Sequence, residues 1–275
     1  MIAVLSPAKS LDFSPAPAGV PCTVPERLAD SEELIRALRK LSPKKIAALM
    51  DLSANLAALN HERYHAWTPD FAAAQREGRA KQALLAFDGD VYQGFSLGEY
   101  RKTDFTFAQN HLRLLSGLHG VLRPLDLIQP YRLEMGRPLK TARGKDLYAF
   151  WGPRITDALN EALDTDSSGV LLNLASEEYF SAVQPDRLRA RVLSCVFKDE
   201  SNGAFKILSF FAKRARGLMA DFMIREHITQ PAELKQFDAA GYRFDPATST
   251  DSRYVFLRAE SARPAPALAG GKRPR

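Results

Sequence analysis

Cysteine is scarce in this 275-residue chain: Cys22 and Cys195 are the only two, and they lie far apart in sequence. That spacing excludes a disulfide framework, a C-x-x-C redox pair and a cysteine-based metal site, and it fits a reducing compartment. Long apolar runs are also missing. Met1 to Leu5 is apolar, but Pro7 and Lys9 end the run, far short of the ~18 consecutive apolar residues of a membrane span. No cationic signal segment opens the chain. A cytoplasmic protein with no membrane association is the expectation. G-x-S-x-G, the P-loop and G-x-G-x-x-G are absent too, so hydrolase, nucleotide-triphosphatase and dinucleotide readings lack their usual signals.

What is present is an ordinary globular composition, 45% hydrophobic and 25% charged, with a formal net charge of +6. Its distribution matters more than its total. Residues 101–154 hold 10 basic and 4 acidic residues, 198–225 hold 6 and 3, and 258–275 hold 5 and 1. The stretch between the first two, 155–197, holds 3 basic and 7 acidic residues. Residues 258–275 are rich in Ala, Pro and Gly, which predicts a disordered basic tail after a domain spanning 1–257. The other two basic segments lie in patterned, foldable sequence.

Ile2 to Leu5 reads as a buried strand, followed by a Pro-rich loop over 14–25. Ser31 is placed as the N-cap of a helix through Leu41, Ser42-Pro43 starts a second helix and Ser53 a third. Asp104 is expected to cap a helix running through Phe107 and Leu112 to Leu115 and stopping at Ser116-Gly117. Pro124, Pro130 and Pro138 predict an extended or irregular stretch. Val170–Leu174 and Val192–Phe197 read as strands, Ser201-Asn202-Gly203 as a hairpin turn with Phe205–Leu208 as the returning strand, and Ser209 onward as a helix through Ile224. Arg253–Leu257 is the last strand. With no repeat and no linker, this mixture predicts one α+β domain, a mixed sheet surrounded by helices.

His61-Glu-Arg-Tyr-His65 fits H-E-x-x-H, which places two imidazoles one helical turn apart for zinc. No third ligand follows, and a solvated helix is the better reading. Asp88-Gly89-Asp90 reads as a tight turn. Ser176 with Glu177 and Glu178 reads as a helix cap, since two carboxylates there repel an anion. Leu115-Ser-Gly-Leu-His-Gly120 offers two glycines whose backbone N–H groups could approach a phosphate, with Arg113, Arg123 and Arg132 near them in sequence. On the predicted Ser209 helix, Lys213 and Arg216 lie opposite an apolar face, and Lys198 and Lys206 on the hairpin would extend that basic surface.

Five segments carry a family resemblance: Ser6-Pro-Ala-Lys-Ser-Leu-Asp-Phe13; Phe87-Asp-Gly-Asp-Val-Tyr92; the 23 residues from Leu114 to Gly136; Asn173-Leu-Ala-Ser-Glu-Glu-Tyr-Phe180; and Val196-Phe-Lys-Asp199 through Asn202-Gly203 to Met219. In order and over residues 1 to about 257, the chain resembles the YaaA family of bacterial peroxide stress proteins. The resemblance implies a cytoplasmic protein of the hydrogen peroxide response that limits unincorporated iron. It also implies a positively charged cleft and a helix-hairpin-helix-like element that bind duplex or distorted DNA, with no established catalytic reaction.

Carried onto this sequence, the hairpin falls on Leu115 to Arg123. The candidate DNA-binding residues are Lys9, Arg113, Gly117, His119, Gly120, Arg123, Arg132, Lys198, Lys206, Lys213 and Arg216. No catalytic residue, cofactor, metal or obligate protein partner is assigned. The rival reading is an enzyme acting on an anionic, phosphorylated small molecule in the same cleft. It is motivated by Lys9, Asp12, Arg132, Glu134, Lys198 and Asp199, which sit in specific motifs near predicted strand ends.

Overall fold

The computed structural model describes residues 1–264. Ile2–Leu5 (β1) is buried at every position, as a strand covered on both faces must be. It is the seed of an eight-stranded sheet. Leu112–Ser116 (β2) pairs parallel with one side of β1, and Gly120–Leu122 (β3) pairs antiparallel with β2. Val170–Asn173 (β4) then pairs parallel with the other side of β1, and Arg191–Ser201 (β5) pairs parallel with β4. Ala204–Lys206 (β6) returns antiparallel along the end of β5. Arg243–Phe244 (β7) and Arg253–Arg258 (β8) complete the far side, with β8 parallel to β5. The order is β7-β8-β5-β4-β1-β2-β3, with β6 on β5. The sheet is mixed, as expected, and mostly parallel.

The chain leaves β1 toward β2 and later returns to the opposite side of β1 through β4. A crevice outside the carboxyl ends of β1 and β4 is the usual consequence of such a reversal in an open α/β sheet. Six helices of eight residues or more accompany the sheet among the described residues: Leu28–Arg39 (α1), Pro43–Met50 (α2), Ala54–Ala66 (α3), Lys102–His111 (α4), Arg154–Asp164 (α5) and Ser209–Arg225 (α6). Ser42 and Ser53 cap α2 and α3 through their side chains. Helix α6 packs on β5 and α4, and α5 packs on β3. None of the described helices is long and apolar enough to cross a membrane.

Four expectations are corrected. The helix expected to reach Leu115 ends at His111, and Leu112–Ser116 is a strand. Registered pairing of Ala3 with Leu112 and Leu5 with Leu114 buries three leucines at once, which outweighs a weak helical preference. The Leu115–Arg123 element is therefore a β-hairpin, and the helix-hairpin-helix is not formed. Gly117, His119 and Gly120 face inward: Gly117 O accepts the Trp151 Nε1 hydrogen bond at 3.0 Å, and a Cβ on Gly120, at φ 69°, would sit 2.8 Å from the Trp151 ring. These three residues cannot meet a phosphate. Their glycines serve close packing instead.

Ser31 is not a cap. It lies inside α1, buried, with its Oγ 2.9 Å from His119 Nδ1. The domain boundary at 257 also falls too early. Arg258 ends β8 and is buried, its Nε donating to Asp199 Oδ1 at 2.7 Å while Tyr242 donates to Oδ2 at 2.8 Å. Asp199 thus pairs with Arg258 and not with its neighbour Lys198. The basic tail from residue 265 on lies outside the described residues.

Candidate functional site

The crevice at the β1/β4 reversal is a cleft of about 410 Å³, within the ~300–1,000 Å³ of small-ligand sites. All five segments that carry the family resemblance reach it. Ser6 to Ser10 follow β1, Asp88 to Val91 form one wall, and Tyr131 to Glu134 come from the irregular stretch after β3. Leu174, Ser176, Glu178 and Tyr179 follow β4, and Lys213 and Arg216 come from α6. At the floor, Ser176 N donates to Ser6 Oγ at 2.8 Å and Ser6 Oγ donates to Ser176 Oγ at 3.1 Å, which ties the ends of β1 and β4 together. Tyr92 donates to Ser6 O at 3.0 Å.

Of the eleven residues singled out from sequence, the structure brings Lys9, Arg132, Lys213 and Arg216 into this cleft. Lys198 and Lys206 lie on β5 and β6 and do not line it. Arg113 and Arg123 line a separate recess of about 190 Å³ with Glu26, Asp126 and Glu161. There the Arg123 guanidinium pairs with Glu26 and Asp126, both at 2.9 Å. Arg113 Nη1 donates to the Gln109 and Leu112 carbonyls at 2.9 and 2.8 Å. Both arginines are holding structure.

The cleft is not uniformly basic, which corrects the expected charge. Its four cations face four carboxylates: Asp88, Asp90, Glu134 and Glu178. Glu134, with only 5% of its side chain exposed, accepts from Arg132 Nε and Nη2 at 3.2 and 3.1 Å. Lys9 Nζ stands 3.7 Å from Oε1 and Arg137 Nε 3.4 Å from Oε2. Tyr64 donates to the Arg132 carbonyl and fixes that backbone. Glu178 Oε1 accepts from Gly136 N at 3.0 Å. Lys213 lies 4.0 Å from Asp90.

Arg216 is the exception. Its guanidinium lines the cleft, half-buried, with no carboxylate or carbonyl partner among the described residues, and burial alone pulls its pKa down. A half-buried guanidinium without a protein acceptor is the group in this cleft best placed to take an anion. Burial pushes the Tyr131 and Tyr179 hydroxyls up, so both phenols stay neutral.

The cleft residues that sequence reading missed are Glu178 and Asp88 with Asp90, read as parts of a cap and a turn, and the Ser6–Ser176 contact. The available signal was their placement in the same quoted segments as Lys9, Arg132 and Lys213. His61 and His65 stay on α3 with rings 4.4 Å apart, and no cluster of three metal-ligating side chains occurs among the described residues.

A family model described as peroxide stress protein YaaA matches residues 1–248. The chain is 58% identical over 261 residues to a UPF0246 protein of Burkholderia cenocepacia, covering 94% of this chain and 98% of the relative. It is 56% identical over 258 residues to a UPF0246 protein of Ralstonia pickettii, covering 94% and 99%, and 57% identical to one of Burkholderia vietnamiensis, covering 94% and 98%. With nearly the full length of both chains aligned, this protein belongs to the YaaA family of peroxide stress proteins.

Proposed function

We propose that this protein acts in the cytoplasm during hydrogen peroxide stress, limiting unincorporated iron and protecting DNA by binding distorted DNA across the cleft. The observation that carries the reading is Arg216, a guanidinium with no acceptor among the described residues, near Lys213 in a cleft reached by every motif segment. A phosphate oxygen supplies the charge that this side chain lacks. The buried Gly117–Gly120 hairpin has no part in it. Lys9 and Lys213, with 64% and 54% of their side chains exposed, stand at the rim where a DNA backbone can be met.

The test is a titration of fluorescent duplex and bulged DNA at two salt concentrations with protein ending at residue 264. Binding weakened at least about tenfold by Lys213→Glu with Arg216→Glu is the expected result. Binding that ignores both substitutions overturns the reading. For the iron role, chelatable iron measured by electron spin resonance in peroxide-treated cells should rise when the wild-type gene is replaced by the doubly substituted one.

A second reading is favoured by the cleft's size and its carboxylates: an anionic, phosphorylated small molecule bound, and turned over, in the same place. Glu134 and Glu178 accept hydrogen bonds that sugar hydroxyls or amino groups can donate, whereas a duplex gains nothing from them. Thermal-shift measurements with phosphorylated metabolites decide between the two, because a specific ligand stabilises the folded state by mass action. Stabilisation by DNA with none by any metabolite removes this second reading.

A further inference from the structure

The β5–β6 hairpin and the start of α6 carry three exposed apolar side chains that the cleft does not use. Phe205, Ile207 and Phe210 are 44%, 59% and 57% exposed. Scattered exposed apolar side chains need no explanation, but three within six residues do. The turn that presents them is built for it: Asn202 and Gly203 both have positive φ, 55° and 74°, the conformation of a tight two-residue hairpin. Phe210 packs edge-on to Phe211 at 5.5 Å, and Phe211 is held under the Arg258 and Arg263 guanidiniums at 4.7 and 5.2 Å. The tip therefore stands on a firm base.

Charge identifies what covers it. Asp199 and Asp221 are buried, Asp199 on Arg258 and Tyr242, and Asp221 on Ser96 N and the Tyr100 hydroxyl at 3.0 and 2.8 Å. Two further carboxylates are engaged, Glu200, across the hairpin from Phe205, by Glu260 N at 3.0 Å and Asp90 by Lys213 at 4.0 Å, while Lys206, Lys213 and Arg214 are exposed around the apolar tip. Phe210, Lys213 and Arg216 follow one another along a single side of α6 at three-residue spacing, so a stripe runs from the tip into the cleft. A second copy of the same patch would set cations against cations, which opposes self-association. A polyanion with apolar faces satisfies both parts.

We propose that Phe205, Ile207 and Phe210 form a wedge that stacks on unpaired or bulged bases of DNA whose phosphates lie along Lys206, Lys213 and Arg216. The proposal rests on the DNA reading above and names the element that recognises distortion. Aromatic and aliphatic side chains inserted beside bases are sequence-tolerant, because every base presents a π-face.

The test uses DNA with a bulged 2-aminopurine, whose fluorescence reports unstacking from its neighbours, alongside the matched duplex. Phe205→Ser with Phe210→Ser, and separately Ile207→Ser, should weaken binding to bulged DNA about tenfold, change duplex binding less than about twofold and abolish the fluorescence change. Phe210→Tyr should keep both. Arg216→Gln should weaken binding to both DNAs. Wedge variants that bind bulged DNA like wild type, while Arg216→Gln is weakened, overturn the wedge and leave the DNA reading intact. Wild-type protein that binds neither DNA overturns both. Wedge variants that lose binding to mixed phosphatidylglycerol and phosphatidylcholine vesicles, with DNA binding unchanged, assign the tip to lipid and overturn the wedge.

Discussion

His119 shows how far a residue's role can lie from its sequence neighbourhood. Between two glycines and among arginines it suggests a phosphate contact, yet it is fully buried between Phe71, Tyr131 and Ser31, and its Nε2 has no partner among the described residues. Burial pulls its pKa down to about 3, so the folded protein keeps it neutral while the unfolded chain protonates near pH 6.5. The unfolded state then binds more protons between those values. His119 contributes no penalty above about pH 6.5, and below it stability falls by up to about 1.4 kcal/mol per pH unit. Urea unfolding at about pH 6 and about pH 4 should show that slope, and His119→Gln should flatten it. Asp199 behaves differently. Asp199→Ala leaves Arg258 buried and uncompensated, which should cost about 3–5 kcal/mol in the same measurement.

At the scale of elements, α6 is held in place by backbone contact. A Cβ on Gly217 would overlap the Val91 carbonyl, and one on Gly94 would lie 2.5 Å from Leu218 N. Val91 and Arg216 both line the cleft, so this contact fixes where α6 meets the Asp88–Val91 wall. Gly217→Ala should destabilise by about 1–3 kcal/mol and weaken DNA binding as well, read by unfolding and by titration. A loss of stability with unchanged binding would separate the contact from the site.

The elements were unequally legible. Val170–Asn173, the Asn202-Gly203 hairpin and the Ser209 helix all announce themselves through local pattern and turn chemistry. Leu112–Ser116 does not, because its run of leucines suits a helix face or an interior strand, and the partner that decides is β1, more than a hundred residues away. The cleft was half legible. Its cations are visible in the basic segments, whereas Asp88 and Glu178 come from segments with other apparent jobs and meet those cations only after folding.

For the whole molecule, net charge predicts little and placement predicts a measurable slope. Arg113 and Arg123 are occupied elsewhere, and the cleft's carboxylates offset part of its basic charge. Four or so phosphates met by Lys9, Lys206, Lys213 and Arg216 give a log–log dependence of affinity on salt of about −3 to −4. Protein ending at residue 264 should show that slope. A slope steeper than about −6 would mean that another surface does the binding.

The central position of β1 sets a timetable for synthesis. Its two neighbours begin at residues 112 and 170, so this apolar strand is synthesised well before either strand that flanks it. At about 5–20 residues per second that delay is on the order of ten to thirty seconds. Until Leu112–Ser116 is made, Ile2–Leu5 has neither of its sheet partners, and it gains the second only with Val170–Asn173. The cleft, whose floor joins the ends of β1 and β4, is among the last features to form.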